Sequence, residues 1–180
     1  MRTRLRRAAL LLLLPATALA ADVVLLDRIV AVVDLHAITK RSVDARAREL
    51  APPASDPATL TEARKQALTS LIEEHLIAED AEKAGVSVDS EDVDRALEAV
   101  AQQNGLTVEQ LFVEAKKQGL EKDVYRASVR RQLLEGKWLR LKSAQGTRPK
   151  DGVAQSDFMA SERARLVAEL KAKAAIEVRP

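Results

Sequence analysis

The feature that most constrains this chain is its longest uninterrupted helical run, residues 60–88, LTEARKQALTSLIEEHLIAEDAEKAGVSV. Ahead of it Asp56-Pro57 places an N-capping aspartate before a proline in the first turn, and Gly85 offers a left-handed stop. No Gly or Pro falls between Leu60 and Ala84, so the helix is roughly 35–40 Å long at about 1.5 Å per residue. On a helical wheel Leu68, Leu71, Ile72 and Leu76 form one apolar stripe. Ile77 lies nearly opposite, with Ala67, Ala78, Ala81 and Ala84 scattered between. An apolar set that wide predicts burial from more than one side, as a central helix that the others wrap. The acidic pair Glu73-Glu74 and the block Glu79, Asp80 and Glu82 are expected on its solvated edges.

The start of the chain reads as a targeting segment. Arg2, Arg4, Arg6 and Arg7 form a basic n-region, residues 8–14 an apolar stretch broken by Pro15, and Ala18-Leu19-Ala20 a small-x-small cleavage site. That pattern predicts a Sec-type signal peptide over residues 1–20, and hence a periplasmic protein. A membrane anchor needs about 20 apolar residues, more than residues 8–21 provide. Removing it changes the charge balance. The whole chain carries 29 Lys+Arg and 27 Asp+Glu; residues 1–20 hold four arginines and no acid, which leaves 25 against 27, net −2. The basic character belongs to the leader, and with it goes the case for a nucleic-acid partner. Without cysteine there are no disulfides and no lipobox for a lipid anchor, so stability must come from a core. Aromatics make up only 2% (Phe112, Tyr125, Trp138 and Phe158), and that core must be built from Leu, Val, Ile and Ala.

Residues 23–33, VVLLDRIVAVV, are the β signal near the start, apolar on both faces and so expected within the fold. Thr39 caps a helix expected over residues 40–50, and the proline-rich loop 51–57 leads into the central helix. Asp89 with Asp92, and Thr107 with Gln110, open two further helices in capping-box fashion; the second stops at Gly119. A long helix follows over about residues 121–142. Residues 143–157 read as a flexible linker, 158–174 as a last helix and 175–179, AIEVR, as a short strand. A lone buried strand leaves its backbone groups unpaired, so the N- and C-terminal strands are expected to pair, with the 34–38 segment able to contribute a turn.

Catalytic chemistry is not visible. The two histidines, His36 and His75, lack a partner at metal-ligand spacing, and there is no nucleophile elbow, P-loop or dinucleotide fingerprint. His75 reads as a boundary or hydrogen-bonded core residue. The basic run Arg126, Arg130, Arg131, Lys137, Arg140 and Lys142 reads as the wet side of the last long helix. No catalytic residue, metal or cofactor is expected.

The order of the elements is more specific than any one of them. Ile38-Thr39 opens a helix after the strand; Leu71-Ile72-Glu73-Glu74-His75-Leu76-Ile77, Gly85-Val86-Ser87-Val88, Asn104-Gly105-Leu106-Thr107, and Tyr125-Arg126 with Arg130-Arg131-Gln132-Leu133-Leu134 then follow in turn. Over about residues 27–142 the sequence resembles the N-terminal chaperone domain of the SurA family, of the trigger factor/SurA peptide-binding type. Ala175-Ile176-Glu177-Val178 resembles that family's C-terminal segment. The resemblance implies a mostly α fold, a helical chaperone core around the long central helix, with a small sheet joining the two terminal strands. Its divisions are 1–20 signal peptide, 21–142 chaperone domain, 143–157 linker, and 158–180 helix and strand packing back. The family's parvulin prolyl-isomerase domains usually stand where residues 143–157 lie, so isomerase activity is not implied. The turn after the first strand, usually polar in the family, reads Asp34-Leu35-His36-Ala37.

The function so implied is ATP-independent binding of unfolded or extended segments of exported polypeptides, outer-membrane β-barrel proteins among them. Phe112, Tyr125 and Trp138 are the candidate peptide-binding residues, since aromatic side chains dominate contact energetics. The alternatives are a partner-specific subunit of an envelope assembly and, on family grounds alone, a prolyl isomerase. The linker before the last helix would also allow a homodimer formed by swapping the terminal helix and strand.

Overall fold

The computed structural model describes residues 27–51, 55–145 and 154–179. The signal-peptide reading, the start of the expected first strand and the middle of the expected linker lie outside the described residues. In chain order the elements are β1 (Ile29–Val33), β2 (His36–Thr39), α1 (Lys40–Leu50), α2 (Pro57–Lys83), α3 (Ser90–Gln103), α4 (Val108–Lys117), α5 (Lys122–Gln145), α6 (Gln155–Lys173) and β3 (Ile176–Val178). Helix α5 thus runs three residues past the boundary read from sequence.

Local chemistry places the helix ends. The Asp56 carboxylate accepts the N–H groups of Ala58 and Thr59 at the head of α2, with Pro57 in the first turn. Capping boxes open α1 (Thr39 with Ser42), α3 (Asp89 with Asp92) and α4 (Thr107 with Gln110). Past the end of α2, Gly85 takes φ +71°, where a side chain would be strained.

The sheet has the order β2-β1-β3 and is antiparallel throughout. The segment expected to give only a turn supplies a whole strand. In the tight turn Asp34 adopts φ +52°, a conformation that aspartate tolerates better than most residues. Two hydrogen bonds hold it there: its N–H donates to the Ala175 carbonyl at 2.8 Å, and its carboxylate accepts the Ala175 N–H at 2.9 Å. The chain's last strand therefore locks its first hairpin. Strand β1 is buried on one face only, through Ala31 and Val33, while Val30 and Val32 remain half-exposed.

Helix α2 is buried from two sides. One side packs Ala63, Ala67, Ile72 and Leu76 under the sheet and α1, against Ala31, Val33, Ile38, Val43 and Ala47. The other packs Ile77 and Ala81 against Trp138 and Leu139 of α5 and Val167 of α6. A third cluster joins α3, α4 and the first half of α5 through Val93, Leu97, Ala101 and Leu111. Of the acidic residues of α2 expected on solvated edges, Glu82 is exposed and Glu79 pairs along its own helix with Lys83, but others are clamps: Glu73 meets Arg163 and Lys171 of α6, and Asp80 meets Lys142.

Trp138 is fully buried, and its indole N–H donates to the Asp80 carboxylate at 2.7 Å. Burial raises the Asp80 pKa, but hydrogen bonds from Lys142 and Trp138 outweigh it and the net shift is downward. Trp138→Phe removes that donor and leaves a small void. It should cost about 2 kcal/mol in denaturant unfolding near neutral pH. An unchanged unfolding midpoint would show that the tryptophan anchors nothing.

Candidate functional site

Helices α2 and α5 do not close on each other along their whole length. Ser70, Leu71, Glu74, Ile77 and Ala78 recur at helical spacing along α2, and Ser128, Arg131, Gln132 and Glu135 along α5. Between these rows lies a groove in two parts. The part toward α1 has a volume of about 310 Å³ and adds Leu50 and Leu120; the part toward the hairpin has about 260 Å³ and adds His36, His75 and Leu134. Glu74, Arg131 and Glu135 line both parts, so they form its waist. Beyond His75 the surface continues to Leu35, the fully exposed tip of the β1–β2 turn. Such an elongated surface, apolar toward the hairpin and polar toward α1 apart from Leu50 and Leu120, suits an extended chain better than a compact small molecule. A separate depression of about 360 Å³ lies between Val30, Val43 and Leu68 on the far side of α1.

A ring of four alternating charges builds the waist. Arg46 of α1 donates both terminal guanidinium nitrogens, Nη1 and Nη2, to the Glu74 carboxylate, Nη2 at 2.9 Å. Arg131 reaches Glu49 at 2.9 Å and Glu74 at 3.6 Å. The Nε of Arg46 lies 3.2 Å from Glu49 but is not aligned to donate to it. The Arg46 side chain is only 10% exposed, so its charge depends on these carboxylates. Glu135 is held in turn by Arg163 of α6 at 2.5 Å.

Four other members of the basic run are likewise engaged, which corrects their reading as a wet face. Arg126 pairs with Asp94, Arg130 donates to the Val88 carbonyl, Lys137 reaches Asp92 at 2.5 Å, and Lys142 reaches Asp80. Lys137, then Arg95, holds the Asp92 carboxyl at a pKa of about 2. Arg140 remains exposed.

At the hairpin end the two histidines stack, ring centroids 4.1 Å apart and 15° from parallel. Burial, then the neighbouring His36, lowers the His75 pKa below the ordinary imidazole value; Glu79 and Asp34 pull it partly back. Sequence reading missed this pair, because residues 39 positions apart meet only once the hairpin folds onto α2. Among the described residues no cluster of His, Cys, Asp or Glu could hold a metal ion. No helix among them is long and apolar enough to cross a membrane.

The three candidate aromatics do not converge. Phe112 and Tyr125 meet edge to face, with centroids 6.2 Å apart, and the Lys122 ammonium sits 4.9 Å over the Phe112 ring. Both are half-buried on the α3–α4–α5 cluster, away from the groove. Trp138, expected to line a binding surface, is a core residue, because its large ring fills the space between α2, α5 and α6.

Residues 26–138 match the family described as the SurA N-terminal domain. The chain belongs to that family. The chaperone SurA of Ralstonia nicotianae is 38% identical over 125 residues, covering 67% of this chain and 25% of that protein. The chaperone SurA of Saccharophagus degradans is 36% identical over 117 residues, covering 63% and 27%. The chain therefore spans about a quarter of the length of these curated SurA relatives. Among solved structures, one from a study of two SurA-like chaperones of Campylobacter jejuni superposes with a TM-score of 0.50 at 21% identity. It covers 67% of this chain and 44% of that one, and the likeness is one of fold.

The waist can be tested without any ligand. Glu74→Ala strands the buried Arg46 charge and should cost about 3 kcal/mol of unfolding free energy. Arg131→Ala removes a more solvated partner and should cost no more than about 1 kcal/mol. Equal losses would mean that Arg46 is solvated in solution and that the ring is not structural.

Proposed function

We propose that this chain is a periplasmic, ATP-independent chaperone that holds unfolded or extended segments of exported proteins, outer-membrane β-barrel proteins among them. The α2–α5 groove receives the segment, with apolar side chains seated at its hairpin end and the backbone crossing the charged waist toward the more polar end at α1. The observation that carries this reading is the SurA N-terminal domain match over residues 26–138, on a fold that leaves an elongated groove between two of its helices. Residues 1–20, read as a cleaved signal peptide, support the periplasmic location. Phe112 and Tyr125 offer a second contact surface to longer clients. Trp138 acts from the core, by fixing α5 against α2.

The chain carries no isomerase activity in this reading. Residues 146–154, between α5 and α6, are far too few for a folded domain to stand between them. Because α6 and β3 complete both the sheet and the second core cluster, exchange of that element between two chains would give a homodimer.

The direct test mixes residues 21–180 with an unfolded outer-membrane β-barrel protein and follows aggregation by light scattering. Suppression near stoichiometric amounts, without nucleotide, is expected. No effect on several clients, together with a single co-purifying envelope protein, would make the chain a partner-specific subunit instead. Leu35→Ser should leave the unfolding transition in place, because the side chain is fully exposed. It should raise the amount of protein needed for half suppression by about fivefold, the equivalent of about 1 kcal/mol of lost apolar contact. A variant as effective as the parent would place the client elsewhere.

A further inference from the structure

Two imidazoles stacked face to face on different elements do more than fill space. His36 begins β2 and His75 sits in the C-terminal half of α2, and both line the same end of the groove. They share that end with the apolar Leu71, Ile77, Ala78 and Leu134, and with the paired charges of the waist, Glu74, Arg131 and Glu135. Their shared wall is neutral only while both rings are neutral.

The charged neighbours offer limited compensation. On α2, Glu79 lies 4.0 Å from His75 but already binds Lys83 at 2.6 Å, and Glu74 is held by Arg46. In the turn, the Asp34 carboxylate accepts the Ala175 N–H. From α5, Arg131 brings a like charge and Glu135 is paired with Arg163. From α6, Lys173 lines the adjoining depression beside Asp34 and Glu79. One proton on the pair can be balanced through Glu79. A second would set two cations 4.1 Å apart.

We propose that the His36–His75 stack is a proton-controlled wall of the groove, accepting apolar side chains when neutral and favouring acidic ones when protonated. This rests on the groove being the client site. Covering a protonated imidazole with an apolar side chain removes its hydration without replacement, whereas a client carboxylate supplies a counter-charge. Acidification therefore releases apolar segments and retains acidic ones. The same proton acts on the fold. The folded pKa of His75 is depressed, so the unfolded chain takes up the proton first, at the ordinary value of 6.5. The stabilisation is complete above that value and is lost as pH falls toward the folded pKa.

Two measurements on residues 21–180 decide the matter. The imidazole signals are first titrated by proton–carbon NMR in the parent and in His36→Gln. The His75 midpoint should lie below 6.5 in the parent and move up in the variant; an identical midpoint in both overturns the coupling. Two labelled peptides are then compared at about pH 7.5 and about pH 5.5: one alternating serine with leucine, the other carrying glutamate for one leucine. The leucine peptide should bind about tenfold more weakly at the acid pH, as one unit of pKa difference between empty and covered wall requires. The glutamate peptide should not weaken, and His36→Gln with His75→Gln should abolish the contrast. Binding that ignores pH in the parent, or pH dependence that survives in the double variant, overturns the wall and leaves the groove standing. Absence of binding by either peptide at both pH values removes the groove reading, and the wall with it.

Discussion

Burial of α2 on two opposite sides is the constraint on which the other elements depend. Ile72 and Leu76 face the sheet and α1, while Ile77 and Ala81 face α5 and α6, so one helix separates two apolar clusters instead of capping one. With so few aromatics, each cluster is small and neither would hold the chain alone. The ends of the chain are drawn in by the same need. Strand β3 covers the open side of β1, and α6 covers the second face of α2, so the last residues finish what the first residues begin.

Two faces of α2 taken by apolar packing leave narrow polar strips between them, and the charges fall there. Glu73 is met from α6 by Arg163 and Lys171, Glu74 from α1 and α5 by Arg46 and Arg131, and Asp80 from α5 by Lys142. Such pairs add modestly to stability when exposed, but they set spacing and register. The ring at Arg46, Glu49, Glu74 and Arg131 joins α2 to α5 across a gap that apolar contact does not close. The groove follows from that geometry, with its waist where the ions meet.

The helices were legible because their signals are local. Asp56-Pro57, Thr39, Asp89, Thr107 and Gly85 act within one turn of where they stand, and the structure uses each as read. The pairing of the terminal strands also followed from the need to satisfy backbone groups. What depends on distant residues was not legible. A charge run such as 126–142 looks the same whether it faces water or three other helices, and Glu73, Glu74 and Asp80 of α2 misled in the same way. Trp138 carried no sign that Asp80 would meet its indole, and sparse aromatics invite a binding role that burial here denies to it. His36 and His75 come together only through the hairpin, whose turn is held by hydrogen bonds to Ala175, far along the chain.

The central claim, that the space between α2 and α5 receives an extended client, is most directly tested by site-specific photo-crosslinking. A photoreactive side chain is placed at Gln132, which lines the groove, or at Glu98, exposed on α3, and an unfolded β-barrel client is added. The account predicts a strong adduct at Gln132, competed away by excess unlabelled client, and little at Glu98. Equal adducts at both positions, or one at Glu98 alone, would contradict it.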